Sequence, residues 1–183
     1  VVFAAVTAEE KGLVGSDYLA EHLPAAAGRP VANINLDMVL VTEPTHSFTV
    51  LGVEHSSLRS PVEQAARRFG IELMPDPQPE RVVFVRSDQY SFIRRGVPAI
   101  FPKVYTRTNS VAAAGALTPA DFNKLHYHQP SDDLALPRDS ASSVRFVRFM
   151  ADIAQRVVSA DKAPRWNAGD FFGETFGGGR SAR

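Results

Sequence analysis

The feature that most constrains the fold is an alternation of short apolar runs with helical patterns. Apolar runs bounded by turn residues predict strands over 1–6, 31–38, 48–51, 82–85 and 99–101. Helical patterns predict helices over 14–23, 60–69, 90–95 and 140–158. The second of these begins with a capping box at Ser60 and stops at Gly70. Strands that alternate with helices are typical of an α/β fold. We therefore expect a three-layer sandwich built around a mostly parallel mixed sheet.

The last predicted helix is the most clearly marked. Asp139 and Ser140 provide its N-terminal cap, and it carries an apolar stripe at helical spacing on one side: Phe146, Phe149, Met150, Ile153 and Val157. We interpret residues 1–160 as one domain, and 161–183 as a C-terminal tail that frays. The stretch 102–128 is predicted to be a long irregular loop, of the kind that often serves function.

Composition excludes several classes of function. Twenty basic residues balance twenty acidic ones, so the chain lacks the basic surplus of a nucleic-acid-binding protein. There is no cysteine, which excludes disulfide and thiol chemistry. No apolar run approaches the length of a membrane span.

Three carboxylates fall at the ends of predicted strands. Glu9 and Glu10 follow the first apolar run, and Asp37 ends the second. The chemistry of open α/β sheets gathers at the carboxyl ends of their strands. Together with His128, these side chains are donors that suit zinc, although capping or solvent-exposed roles explain each of them equally well when taken alone. The residues by themselves indicate only a candidate metallohydrolase.

Five segments occur in an order that resembles the M28 metallopeptidases, the co-catalytic two-zinc aminopeptidases and their relatives. They are TAEEKGLVGS at 7–16, NLDM at 35–38, RSDQYSF followed by GVPAIF at 86–101, YHQPSD at 127–132 and WNAGD at 166–170. The resemblance spans nearly the whole chain. It implies the phosphorylase/hydrolase-like fold of zinc exopeptidases and a peptide substrate.

The resemblance also implies roles for individual residues. Glu9 corresponds to the general base that takes a proton from the metal-bound water, and Tyr127 to a donor that stabilises the oxyanion. Glu10 and His128 correspond to ligands of one zinc ion, and Asp37 to a ligand of the other.

Ser87 and Asp88 are expected to shape the substrate side of the site or to brace it. Gln89 stands where many members of the family have histidine. The remaining histidines lie outside the motifs and are expected to be structural or exposed: His22, His46, His55 and His126.

The family pattern requires two more ligands before Glu9, a histidine and a bridging aspartate. We therefore expect this chain to be the C-terminal part of a catalytic domain whose N-terminal strands are missing. Because zinc usually needs about three or four protein ligands, we predict weak zinc binding and little peptidase activity for the chain alone. An uncovered sheet edge would also favour self-association.

Two other functions stay open. A catalytically silent domain of the same fold could serve binding or assembly, and a glutaminyl-cyclase-like acyltransferase could use a similar site. The sequence does not settle where the protein is located. Only the family resemblance suggests a periplasmic or secreted protein.

Overall fold

The computed structural model describes residues 1–39, 41–104 and 117–180, and its centre is a four-stranded sheet. The strands are β1 (Asn33–Ile34), β2 (Ser47–Leu51), β3 (Glu72–Met74) and β4 (Ala99–Lys103), in the spatial order β1-β4-β2-β3. β1 pairs with β4 in parallel, β2 pairs with β3 in parallel, and β2 runs antiparallel to β4. The prediction of a mostly parallel mixed sheet is confirmed.

The described ranges contain six α-helices, which are α1 (Val14–Glu21), α2 (Arg59–Phe69), α3 (Gln89–Ile93), α4 (Pro119–Leu125), α5 (Ser140–Val158) and α6 (Phe171–Phe176). Short 3-10 turns cover Glu9–Lys11, Ala25–Ala27, Pro79–Arg81, Val83–Val85 and Gly177–Arg180. None of the described helices is long and apolar enough to cross a membrane.

Helices pack on both faces of the sheet. Successive residues of a strand point to opposite faces, and in β4 Ile100 joins one core cluster while Ala99 joins another. The larger cluster combines β2 with the apolar stripes of α2 and α5. The smaller cluster combines Ile93 of α3 with Phe172 of α6. The three-layer α/β arrangement is therefore the one that the sequence predicts.

Two predicted strands are absent and one is much shorter. Residues 1–6 form no strand, and Phe3 is 95% exposed. Apolar residues form a strand only when a neighbour takes their backbone hydrogen bonds, and no described strand lies beside this run. The run 82–85 forms no strand, and Val83–Val85 is a 3-10 turn. A short apolar run does not by itself distinguish a strand from another kind of element. In the run 31–38, only Asn33–Ile34 pairs as strand.

The chain also contains elements that the pattern did not predict. β3 is too short to show alternation, and α4 begins inside the stretch expected to be irregular. Residues 105–116 of that stretch lie outside the described residues. The predicted capping box at Ser60 is wrong, since α2 begins one residue earlier and has no side-chain cap.

The segment after residue 160 does not fray, up to the end of the described part. Trp166 forms a β-bridge with Ser56, and its indole Nε1 donates to the Gly96 carbonyl oxygen at 3.0 Å. Phe172 is 8% exposed and packs on the smaller core cluster. The aromatic side chains of this segment thus outweigh the flexibility expected from its glycines.

Candidate active site

Strained backbone is concentrated around the predicted site residues. Among the described non-glycine residues, five have a positive φ, namely Ala8, Leu13, Met38, Val82 and His128. Ala8 immediately precedes Glu9, Met38 immediately follows Asp37, and His128 is itself a predicted site residue. Such conformations cost about 1–3 kcal/mol each and cluster at functional sites.

Glu10 and His128 meet although they are far apart in sequence. Glu10 lies in the 3-10 turn Glu9–Lys11, and His128 follows α4 in a turn. The His128 Nε2 atom is 2.7 Å from Glu10 Oε1, and both side chains are more than half exposed. The structure thus brings together the two residues that the resemblance assigns to one zinc ion.

Glu9 lies in a different environment from its neighbour. Its half-buried carboxylate faces those of Glu10, Asp37 and Asp88. Burial and then the repulsion of these three groups raise the pKa of Glu9, while a hydrogen bond from Ser87 partly offsets the increase. The turn therefore presents one carboxylate paired with an imidazole and another that holds a proton more readily.

Asp37 and Ser87 are also close to each other. Ser87 is buried, with 4% exposure, and its Oγ lies 3.5 Å from Asp37 Oδ2. Asp88 precedes α3, and its Oδ1 atom is buried with no hydrogen-bond partner among the described residues. Ser87 therefore contacts two of the predicted site carboxylates, Asp37 and Glu9.

Tyr127 lies on the same side of the molecule as these carboxylates. Its ring stacks on the His128 imidazole with centroids 3.8 Å apart. Burial raises the pKa of the Tyr127 phenol, and the charges of Glu10, Asp37 and Glu9 raise it further. The phenol therefore keeps its proton near neutral pH and can donate a hydrogen bond.

Two basic residues, Lys103 and Arg81, were not found from the sequence. The Lys103 ammonium lies 4.7 Å from the centroid of the Phe101 ring. Burial lowers the pKa of Lys103, Arg81 lowers it further, and the charges of Asp37 and Glu9 oppose the decrease. β1 pairs with β4 in parallel, and the same register continued beyond β1 places Lys103 beside Asp37. The strand order that brings the two together cannot be read from the sequence.

The described residues do not form a complete zinc site. Glu10 and His128 are donors of the right type, but no group of three or more His, Cys, Asp or Glu side chains converges within the described ranges. Zinc usually takes about three or four protein ligands. The pair formed by Glu10 and His128 thus supplies fewer ligands than such a site takes.

Three of the other four histidines have partners of their own. The His55 Nδ1 atom is 2.7 Å from Asp170 Oδ2, and the His126 Nδ1 atom is 3.0 Å from Ser131 Oγ. His22 stacks on Tyr18 and contacts the carbonyl oxygen of that residue. His46 is exposed.

Comparison with known proteins shows the family. The profile of peptidase family M28 matches residues 1–153, and the chain belongs to this family. Its fold is similar to that of the aminopeptidase from Aneurinibacillus sp. strain AM-1, with 21% sequence identity and a TM-score of 0.52. That match covers 88% of this chain but 33% of the aminopeptidase, so the chain spans about a third of that protein's length. No curated protein matches the sequence.

Proposed function

We propose that the protein to which this chain belongs is a zinc-dependent aminopeptidase, which removes residues from the N-termini of peptides. Membership of the M28 peptidases supports hydrolysis of peptide bonds. The structurally similar protein is named an aminopeptidase, which supports the choice of the N-terminus. Location in the periplasm or outside the cell is part of the proposal and rests on the family resemblance alone.

One observation carries the proposal. Glu10 is 2.7 Å from His128, whereas the adjacent Glu9 faces other carboxylates and has a raised pKa. Neighbouring carboxylates in such different environments are suited to different roles. Glu10 and His128 serve as metal ligands, with Asp37 as a ligand of a second ion, and Glu9 serves as the proton acceptor.

Glu9 and Tyr127 supply the chemistry that this chain can perform itself. Burial raises the pKa of Glu9, and a higher pKa makes a carboxylate a better acceptor of a proton. Glu9 accepts a proton from the attacking water and returns it to the leaving amine. The Tyr127 phenol donates to the oxygen that becomes negative as the carbonyl is attacked.

A catalytically silent domain is the second candidate. It is favoured by the lack of three converging metal-binding side chains within the described ranges. In this case the fold would serve binding or assembly. We extend the first proposal accordingly: the 183-residue chain alone has little or no activity.

The decisive experiment uses the protein at its natural length, with peptides whose N-terminus is free or acetylated and whose C-terminus is free or amidated. The aminopeptidase proposal expects sequential release of the first residue from every peptide with a free N-terminus. A chelator should abolish this release and added zinc should restore it. Cleavage of acetylated peptides would overturn the N-terminal specificity, and complete inactivity with zinc present would favour the silent domain.

A further inference from the structure

A chain of side-chain hydrogen bonds leads from the protein interior to the candidate site. Gln89 is fully buried, and its Nε2 atom donates to the Phe84 carbonyl oxygen at 2.7 Å. Its Oε1 atom accepts from Asn35 Nδ2 at 2.7 Å. The same Asn35 nitrogen donates to Ser87 Oγ at 3.2 Å.

The direction of these bonds is fixed from one end. A backbone carbonyl only accepts hydrogen bonds, so Gln89 must turn its amide nitrogen to Phe84 and its oxygen to Asn35. Asn35 must then present its amide nitrogen, which donates to Gln89 and to Ser87. Since the Ser87 oxygen accepts from Asn35, its own proton is left to be donated elsewhere.

That proton points to the carboxylates of the site. Ser87 Oγ donates to Asp37 Oδ2 at 3.5 Å, and the Ser87 hydroxyl also lowers the pKa of the neighbouring Glu9 carboxyl. We propose that Asn35 and Gln89 are positioning residues, which hold the Ser87 hydroxyl as a donor to Asp37, beside the carboxylate of Glu9. They act through Ser87 and touch no reacting atom.

The anchor of this chain is itself held by packing. The Phe84 ring stacks on His55, with centroids 5.3 Å apart, and meets Phe172 edge-on at 5.6 Å. It also lies against Gly52, where a Cβ atom would come within 2.1 Å of the ring. The carbonyl that sets the direction of the bonds therefore belongs to a residue fixed on three sides.

The test compares uncharged substitutions at Gln89. Neutral histidine donates through one ring nitrogen and accepts through the other, so Gln89→His can preserve the direction of the bonds. In Gln89→Met the methionine side chain is of similar length, but it has neither the N–H donor nor the oxygen acceptor of glutamine. The readout is the carboxyl ¹³C chemical shifts of Glu9 and Asp37, measured by NMR at one alkaline pH in the metal-free protein at its natural length.

We expect Ser87→Ala, Asn35→Leu and Gln89→Met to move the same carboxyl signals, and Gln89→His to leave them near their original positions. The double variant Asn35→Leu/Gln89→Met should move them no further than Asn35→Leu alone, because both residues act through Ser87. Gln155→Met makes the same change on the exposed side of α5, where Gln155 donates to Ser159, and should leave both signals unchanged.

The proposal is overturned if Gln89→Met folds and leaves both carboxyl signals in place, or if Gln89→His shifts them as much as Gln89→Met does. Additive shifts in the double variant would also overturn it. Circular dichroism identifies a variant that fails to fold. If Gln89→Met does not fold, the proposal is overturned when Asn35→Leu leaves both carboxyl signals in place, or when Gln89→His shifts them as much as Asn35→Leu does.

A kinetic measurement rests on the proposed function. There, Gln89→Met should lower kcat by roughly 10- to 100-fold with little change in KM, and Gln89→His should restore it. If the unsubstituted protein has no peptidase activity, the proposed function fails, while the carboxyl shifts still test the positioning role.

Discussion

The imidazole of His128 lies 2.7 Å from the carboxylate of Glu10, although one residue follows α4 and the other lies in a turn before α1. Both side chains are more than half exposed, so a metal ion could reach them directly from solvent. Two ligands bind zinc weakly, however, and this limit leads to the first prediction.

The isolated chain should bind zinc with an affinity weaker than micromolar, because the described residues offer too few converging ligands. His128→Ala should remove most of this residual binding. His126→Ala changes a half-buried histidine two positions away, which pairs with Ser131, and should leave the binding intact. Isothermal titration calorimetry measures both effects, and tight binding at two sites per chain would show the prediction to be wrong.

Glu9→Gln should lower kcat of the natural-length protein by about a hundredfold to ten-thousandfold, because the amide cannot accept the proton of the attacking water. KM should change little. Glu63→Gln is the matched control, since Glu63 is half-buried on α2, as Glu9 is in its turn, and pairs loosely with Arg59 at 3.8 Å. Steady-state kinetics on an aminoacyl anilide checks both variants, and an unchanged kcat for Glu9→Gln would remove this residue from the mechanism.

The link between α2 and α5 predicts a dependence of stability on pH. Asp152 is paired with Arg68 of α2 and with Arg156 of α5, whose Nε lies 2.5 Å from Asp152 Oδ2. Burial alone would raise the pKa of Asp152, but the hydrogen bonds and charges of the two arginines outweigh it and lower the pKa. A carboxyl with a lowered pKa in the folded state stabilises the protein above its unfolded pKa of about 3.9. This stability is lost as the pH falls through the folded pKa.

Asp152→Asn should therefore reduce the free energy of unfolding by about 1–3 kcal/mol at neutral pH, and by much less in strong acid. Asp161→Asn, an exposed change beyond the end of α5, should have almost no effect at either pH. Urea unfolding followed by circular dichroism over a range of pH measures the difference. A loss that is the same at neutral and at acid pH would mean that Asp152 acts through packing rather than through its charge.

Gly52→Ala should destabilise the fold more than Gly70→Ala. Both glycines have a positive φ, of 82° and 61°. A Cβ atom added at Gly52 would clash with the Phe84 ring, whereas a Cβ atom added at Gly70 would have no other atom within 4 Å. Gly70→Ala should cost about 1–2 kcal/mol from backbone strain, and Gly52→Ala about 2–5 kcal/mol because overpacking is added. Thermal unfolding compares the two, and equal losses would show that the Phe84 ring yields freely.

The isolated chain should self-associate as its concentration rises, through the apolar residues 1–6 and the outer edge of β1. Phe3 is 95% exposed and β1 stands at one end of the sheet, and exposed apolar runs and outer strands both favour pairing. Phe3→Lys should shift association to higher concentration, whereas Leu134→Lys, at another highly exposed apolar residue that lies in a loop, should not. Sedimentation velocity at several concentrations tests this, and a monomer throughout would refute it.

The parts of the fold that the sequence predicts well are those with local signals. α5 begins at Ser140 and ends at Val158 as expected, because Asp139 caps it and accepts from the Ser142 amide. β2 and β4 are compact apolar runs with both faces buried. In contrast, residues 1–6 and 82–85 are equally apolar but do not form strands, since strand formation depends on neighbours that are distant in sequence.

The candidate site shows the same difference between features with a local sequence signal and features that depend on distant neighbours. Family resemblance predicts roles for Glu9, Glu10 and His128 from their short motifs. Asn35 and Gln89 also lie in such motifs, but their contact cannot be read from them, because it depends on how α3 packs beside β1. Lys103 likewise becomes a neighbour of Asp37 only through strand order.

The segment that follows the family match has a consequence for how the protein can diverge. The match ends at residue 153, yet Phe172 of α6 packs on Phe84, from which the hydrogen bonds of Gln89 and Asn35 extend. A substitution in this last helix can therefore move the oxygen that orients the site while every chemical group of the site stays the same. Related proteins that differ only in their C-terminal helix could thus differ in catalytic rate, and swapping that helix between them would transfer the difference.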